Sequence, residues 1–457
     1  MRKNFILILA LISVVHLGAQ DQLSLADAIR LGLANNYDVR IERGNVDVAR
    51  LNNNWGEVGI FPTITASAIG SRNIFDNQEA INPFQILGKT ITTQIQPAVN
   101  LNWDLLSLHN ITITKRRLEQ LQAESEGNAS IVIANTIQSI ILGYYIAVLE
   151  SERLKQFQTQ LELSRDKYTR VRVRQEIGSA ITSDVLLEEG NYLTDSVSFV
   201  NQELIYKNAI SNLNFVLGIA EPAPDYVLSD SMDRDMIEVD LLSLIDLMEQ
   251  ENVDVRRQYI TQSVLGLETE LSKWDRYPTL LLGANYTLTR NEQDVSDWPL
   301  NRREITDGSG NVVDVLSVGN NQNRNYGVNF TVSFTLFNGG RINRAIRRAQ
   351  IEEGIGELRI ENLKTSLRRD LKQAVDQYNT RKQLYQINIR RKAAAKQNLD
   401  IARDKFQNGT IDSFDFRTIQ NVFLISSIQE LDAVYDLIDS KVTLMRLTGG
   451  LVRVYNQ

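Results

Sequence analysis

Two carboxylates stand at the same distance from two glycines. Asp184 lies six residues after Gly178, and Asp415 lies six residues after Gly409. The stretches around them, IGSAITSDVL and NGTIDSFDF, each run from a glycine through small or hydroxylated residues to the acid. That order suits a helix ending on a left-handed glycine and a second helix starting back, with Thr182, Ser183 or Asp184 offering the first cap. The acids then have two uses open to them. Each can stabilise the free amides in the first turn of a returning helix. Exposed together at the turns, they would instead hold a negative potential that favours cations. Little else in the chain is equipped for chemistry. There is no cysteine, the histidines are His16 and His109, and no GxSxG, P-loop or metal-spaced His/Cys/carboxylate cluster occurs. No enzymatic activity, cofactor or metal is expected, and His109 reads as a helix-entry residue. A net charge of −7 gives no basic footprint for nucleic acid.

The elements that carry these turns are long helices. From Leu108 to near Arg174 no proline occurs, and Leu154, Phe157, Leu161, Ser164, Tyr168 and Val171 follow the alternating three-and-four spacing of a coiled-coil seam with one polar position. Such a helix would be on the order of 100 Å long. It meets a shorter returning helix that ends near Leu217. The arrangement then recurs. NYDVR at Asn36 matches NVDVR at Asn252, and Phe61-Pro62-Thr63 matches Tyr277-Pro278-Thr279, both 216 residues apart. Beyond a lengthened loop the offset becomes 231 and pairs Gly178 with Gly409, Asp184 with Asp415 and Gly218 with Gly449. The chain therefore reads as residues 21–220 and 241–457, two copies of one domain, joined by a linker at 221–240 that contains EPAPD.

Residues 1–20 read as a secretory signal peptide. Arg2 and Lys3 precede a short apolar run, and LGAQ offers the cleavage site. Its removal would take the net charge from −7 to −9. No later stretch approaches eighteen consecutive apolar residues, so any membrane crossing would fall to strands. Four segments have the required alternation, at about 60–70, 92–105, 279–290 and 325–337. In the last, Tyr326, Val328, Phe330, Val332, Phe334 and Leu336 alternate with Asn325, Gly327, Asn329, Thr331, Ser333 and Thr335. One greasy and one wet face is the signature of a strand between lipid and water. Four strands are too few to close a barrel, and an open edge cannot sit in lipid. Several copies must then pool their strands, and with them their helices. A secreted coiled-coil structural or adhesive protein is the main alternative. A pore-forming toxin is disfavoured, because each strand pair is flanked by helices on both sides.

With these residues in view, the chain resembles the TolC-type outer membrane efflux proteins over essentially all of its length after the signal. The features that carry the likeness are LADAIRLGLANN, the FPT and YPT joins, FTLFNGGR and the two tips. The resemblance implies a mostly helical homotrimer. Its four strands per copy form a twelve-stranded outer-membrane barrel, continuous with a periplasmic helical tunnel. It also implies a periplasmic adaptor (a membrane fusion protein) and an inner-membrane pump of the RND or ABC type. Carried over by position, Asp184, Asp415 and Phe406 would form the periplasmic aperture, and Gly178, Ser179, Ala180, Gly409, Thr410 and Ile411 the adaptor-docking tips. The departures are Phe406 in place of a hydroxylated aromatic, Ile411 at a basic position and Thr418 at a second acidic one, which imply a less polar gate.

Overall fold

The computed structural model describes residues 21–78, 88–105, 108–220, 226–296, 304–306, 309–314 and 318–455. Within them the chain divides into two compact units. The first unit combines the residues up to Val48 with Ala123–Ile260 and Leu358–Gln457, and the second combines Ala49–Gln122 with Thr261–Glu357.

The first unit is helical. Its short strands β1 (Asp21–Leu23) and β4 (Tyr226–Leu228) pair in parallel. Its helices are α1 (Leu25–Asn35), most of α2 (Tyr37–Asn52), α4 (Thr182–Leu217), α5 (Leu241–Glu251), the start of α6 (Val253–Trp274), α8 (Ser413–Leu447) and α9 (Gly450–Tyr455). The greater parts of α3 (Leu108–Glu176) and α7 (Arg341–Gln407) also belong to it. The core is built from Ile137, Ile140 and Tyr144 of α3, Leu213 and Leu217 of α4, Leu371 and Tyr378 of α7, and Val434 and Leu437 of α8.

Two of its helix joints share one hydrogen-bond pattern. Asn36 breaks α1 from α2: its Nδ2 donates to Val216 O at 2.8 Å, and its Oδ1 accepts from the amides of Asp38 and Val39. Asn252 breaks α5 from α6 in the same manner, donating to Leu447 O at 2.8 Å and accepting from Asp254 and Val255. Each joint needs a glycine opposite it. Gly218 and Gly449 have positive φ of 71° and 75°, and a Cβ on either would strike the carbonyl of Asn35 or Glu251.

Within Asn110–Glu176 of α3 an 18-residue window reaches a mean hydropathy of 1.7, enough by length and composition to cross a membrane. Half of that window is buried, and the core residues of α3 named above explain why. It is apolar because the helix is packed on several sides at once.

The second unit is built on a four-stranded antiparallel sheet in the order β2 (Thr63–Asn77), β3 (Gly88–Asp104), β5 (Thr279–Asp294), β8 (Val318–Ser333). A small hairpin, β6 (Glu304–Thr306) with β7 (Val312–Asp314), lies between the last two. The strands run further toward the hairpin loops than alternation alone indicated. The fourth is also displaced: Phe334 and Leu336 alternate correctly but lie beyond its end. The ladder stops at Ser333 because its partner β5 begins at Thr279, directly after Pro278, which has no amide to donate.

Candidate functional site: the sheet faces and the hairpin tips

Register sorts the sheet's side chains by face. Ile64, Leu101, Ala284 and Val328 form one cross-strand row, and Ala66, Val99, Tyr286 and Tyr326 form the next on the same face. The opposite face carries Thr65, Asn100, Asn285 and Gly327, then Ser67, Ala98, Thr287 and Asn325. The apolar face is open, with Val328 and Phe330 each 67 % exposed. A sheet buried on its own helices would show the reverse. Among the paired residues of the polar face, Asp104 at the helix-proximal end is the single charge; the rest are mainly Asn, Gln, Thr, Ser and Gly. The two outer strands, β2 and β8, each keep one edge without a partner among the described residues.

The two tips are built alike. After α3, Ser179 N donates to Arg174 O at 2.7 Å and Gly178 N to Gln175 O at 2.9 Å, with Gly178 at φ 77°. After α7, Thr410 N donates to Lys405 O at 2.9 Å and Gly409 N to Phe406 O at 3.1 Å, with Gly409 at φ 71°. This paired closure is the Schellman motif, and it requires the left-handed residue that both glycines supply. The helix starts differ. Asp412 caps α8, its carboxylate accepting from Asp415 N at 2.7 Å. At α4 the cap position is Ile181, with no side-chain hydrogen bond, so none of Thr182, Ser183 and Asp184 caps it. Asp184 lies inside the first turn. Asp184, Asp415, Gly178, Ser179, Gly409 and Thr410 are exposed, while Ala180 and Ile411 are half-buried.

Phe406 is half-buried at the end of α7. Its ring stacks on Phe416 at 4.7 Å, and Ile411 joins the same small apolar cluster with Leu399 and Ala402. A hydrocarbon side chain at 411 is therefore part of the packing. The Lys167 ammonium stands 5.1 Å from the Phe406 ring centroid and 5.6 Å from that of Phe416. It pairs with Glu188 at 3.0 Å and donates to Ser413 O, while Ser413 Oγ bonds Glu188. Burial holds the Lys167 ammonium below the usual lysine range, against the raising pull of Glu188.

Further along the hairpin, Arg417 grips Asp195 with two hydrogen bonds of 2.6 Å, and Ser164 and Gln160 donate to the same carboxylate. Lys167, Glu188, Asp195, Ser164 and Gln160 are all buried. The expected apolar seam of α3 is thus flanked by a polar interior that joins α3, α4 and α8. It was overlooked in the sequence, although its signal is there: Glu188, Asp195 and Gln202 recur every seven residues on α4, and all three are buried. Among the described residues no group of three His, Asp or Glu side chains is arranged to hold a metal.

Comparison with solved structures then decides the fold. The Campylobacter jejuni CmeC outer membrane channel superposes with a TM-score of 0.72 at 14% identity, covering 93% of this chain and 85% of that one. The Neisseria gonorrhoeae MtrE outer membrane channel in its open state gives 0.68 at 13% identity, covering 93% and 88%. The chain has the TolC-type fold. Residues 244–450 match the outer membrane efflux protein family. The efflux pump outer membrane proteins TtgC and ArpC of Pseudomonas putida are each 23% identical over 216 residues. That match covers 47% of this chain and 43% of each relative, so it spans less than half the length of either.

Proposed function

We propose that this TolC-type chain is the outer-membrane channel of an export system. Three copies would pool their sheets into a twelve-stranded barrel and their helices into a periplasmic tunnel. The observation that carries this reading is the sheet: an exposed apolar face, an almost uncharged polar face, and two unpaired edges. In water, that apolar face would be a large exposed patch with nothing to cover it, which counts against a secreted coiled-coil protein. Pairing β2 of one copy with β8 of the next uses two different edges, and a contact of that kind closes into a ring. The helices offer a matching pair of surfaces. Leu186, Gly190, Leu193, Val197, Val200 and Leu204 form an exposed seam on α4, and α7 exposes Leu384, Ile387 and Ile401.

In this reading the exported cargo is small toxic molecules or secreted substrates. The glycine tips at Gly178–Ala180 and Gly409–Ile411 meet a periplasmic adaptor, which links the channel to an RND or ABC pump. Support for toxic small molecules comes from the names of the Pseudomonas relatives, which are those of efflux pumps. Asp415 is the stronger candidate for the mouth, because Asp412 already serves the α8 amides; Asp184 has the α4 dipole to answer. Planar-bilayer conductance of the detergent-extracted oligomer, with its mass, tests the reading. A trimer with discrete openings is expected. A water-soluble monomer without conductance would refute it.

A further inference from the structure

Beyond the apolar band, the lipid-side face of the sheet changes character in a consistent way. On β5 the band runs from Leu280 to Leu288, nine residues or about 27 Å along the strand, close to what a tilted strand needs to cross the hydrocarbon. Moving from there toward the hairpin loops, the first charged residue on this face is Arg290 on β5 and Arg324 on β8. On β2 it is Arg72 and on β3 it is Lys89. All four are basic, and all four are exposed. None of them makes an ion pair or side-chain hydrogen bond among the described residues, although Arg72 feels the Asp294 carboxylate. The acids of this face, Asp76, Glu292 and Asp294, come only after the first base on their own strands. Tyr286 and Tyr326, paired with each other, lie one row inside Arg324. Tyrosine at that depth marks the boundary between hydrocarbon and headgroups.

We propose that Arg72, Lys89, Arg290 and Arg324 form a collar that binds the phosphate groups of lipid headgroups in the leaflet on the loop side of the barrel. This rests on the outer-membrane reading above. Helices enter the sheet at the Thr63, Asp104, Thr279 and Ser333 ends, so the collar lies at the end away from them, in the outer leaflet. The ligand it fits is a phosphorylated lipid. Guanidinium groups take phosphate oxygens two at a time, and the position next to the band admits a headgroup whose chains run down the apolar face. The apolar face alone would accept any lipid tail; the four bases make the choice of headgroup.

The test uses the full-length oligomer in detergent, with bisphosphorylated lipid A as probe, its dephosphorylated form and inorganic phosphate as controls, and thermal stability as readout. The wild type is expected to be stabilised by the phosphorylated lipid and by neither control. The apparent affinity should fall roughly fivefold for each base changed to Gln, read on Arg290→Gln and on the quadruple variant, while Asp76→Asn with Glu292→Gln keeps or strengthens it. Equal response to the dephosphorylated lipid, equal response to inorganic phosphate, or no change in the Gln variants overturns the collar. Conductance of the same samples separates the two readings. A conducting trimer blind to phosphate refutes the collar alone, whereas a soluble monomer refutes both. If the quadruple variant does not assemble, Arg290→Gln decides.

Discussion

The sheet and the hairpin tip solve opposite problems with the same kinds of residue. On the sheet, the paired polar face carries a single charge, Asp104, and the other charges stand on the apolar face near the loops. Near the tip, charges are drawn inward: Lys167, Glu188 and Asp195 are buried between helices, while the apolar side chains of α4, such as Leu186 and Leu193, face outward. Backbone accounting explains the contrast. A strand satisfies its amides through its neighbours, so its side chains are free to match the solvent on each side. Helices satisfy their own amides, and only side chains can tell one packed helix where to sit on another. Buried polar pairs do this at some cost in stability, because a helix slipped by one turn leaves charges unpaired.

Removing one partner from the tip lattice is the most severe way to test that contrast. Arg417→Ala leaves the Asp195 carboxylate buried with only Ser164 and Gln160 beside it. The expected loss is about 3–5 kcal/mol per copy, read by urea unfolding followed through helical circular dichroism. Asp195→Leu combined with Arg417→Leu should recover most of it. If the double variant is as unstable as the single, the lattice is not a paired-charge device.

On the sheet, neighbouring residues should respond differently. Val328→Arg places a charge on the apolar face and is expected to cost roughly 2–4 kcal/mol per copy at mid-membrane, read as loss of heat-resistant oligomer. Asn329→Arg, one residue along on the polar face, should assemble normally and shift the reversal potential toward anions. Equal damage from both would mean that the faces are not divided between lipid and water.

How much of this was legible follows the same division. The strands announce themselves while their faces differ, as at Val99 and Asn100. Past Ile95 and Leu288 the alternation fades, since Thr92 and Thr93, or Asn291 and Glu292, suit water on either side; only the ladder carries the strand onward. The glycine turns were legible because a left-handed residue has few substitutes. The buried lattice was not. Arg417 and Asp195 are 222 positions apart, and a polar residue at every seventh place of a helix reads equally well as a solvated stripe until its partner is known. Phe406 followed from the resemblance, but its contacts with Phe416 and Lys167 depend on how three helices pack.

A finer division lies within the tip itself. Asp412→Ala removes the carboxylate that caps α8 and should cost about 1 kcal/mol without altering selectivity. Asp415→Ala should cost only a few tenths of a kcal/mol, yet lower the cation preference of single channels. The reverse pattern would move the mouth acid from 415 to 412.

The smallest effect expected is a dependence on pH. Burial disfavours the charged form of Lys167 in the folded chain, so its pKa lies below the ordinary 10.5. Between that lowered value and 10.5 the unfolded chain binds more protons than the folded one at this site. Stability contributed through Lys167 should therefore rise with pH across that interval. The groups facing it are Glu188, Asp412, Arg417 and the Phe406 and Phe416 rings. The reference is Lys167→Met with Glu188→Gln, which removes both partners of the ion pair together and leaves no buried carboxylate without its partner. Urea unfolding of both proteins from pH 8 to pH 10 on the alkaline side, about two units, should show the wild type gaining on the reference. A flat or falling difference would mean that Lys167 stays as easily charged in the bundle as in water, and that the tip interior is wetter than its packing implies.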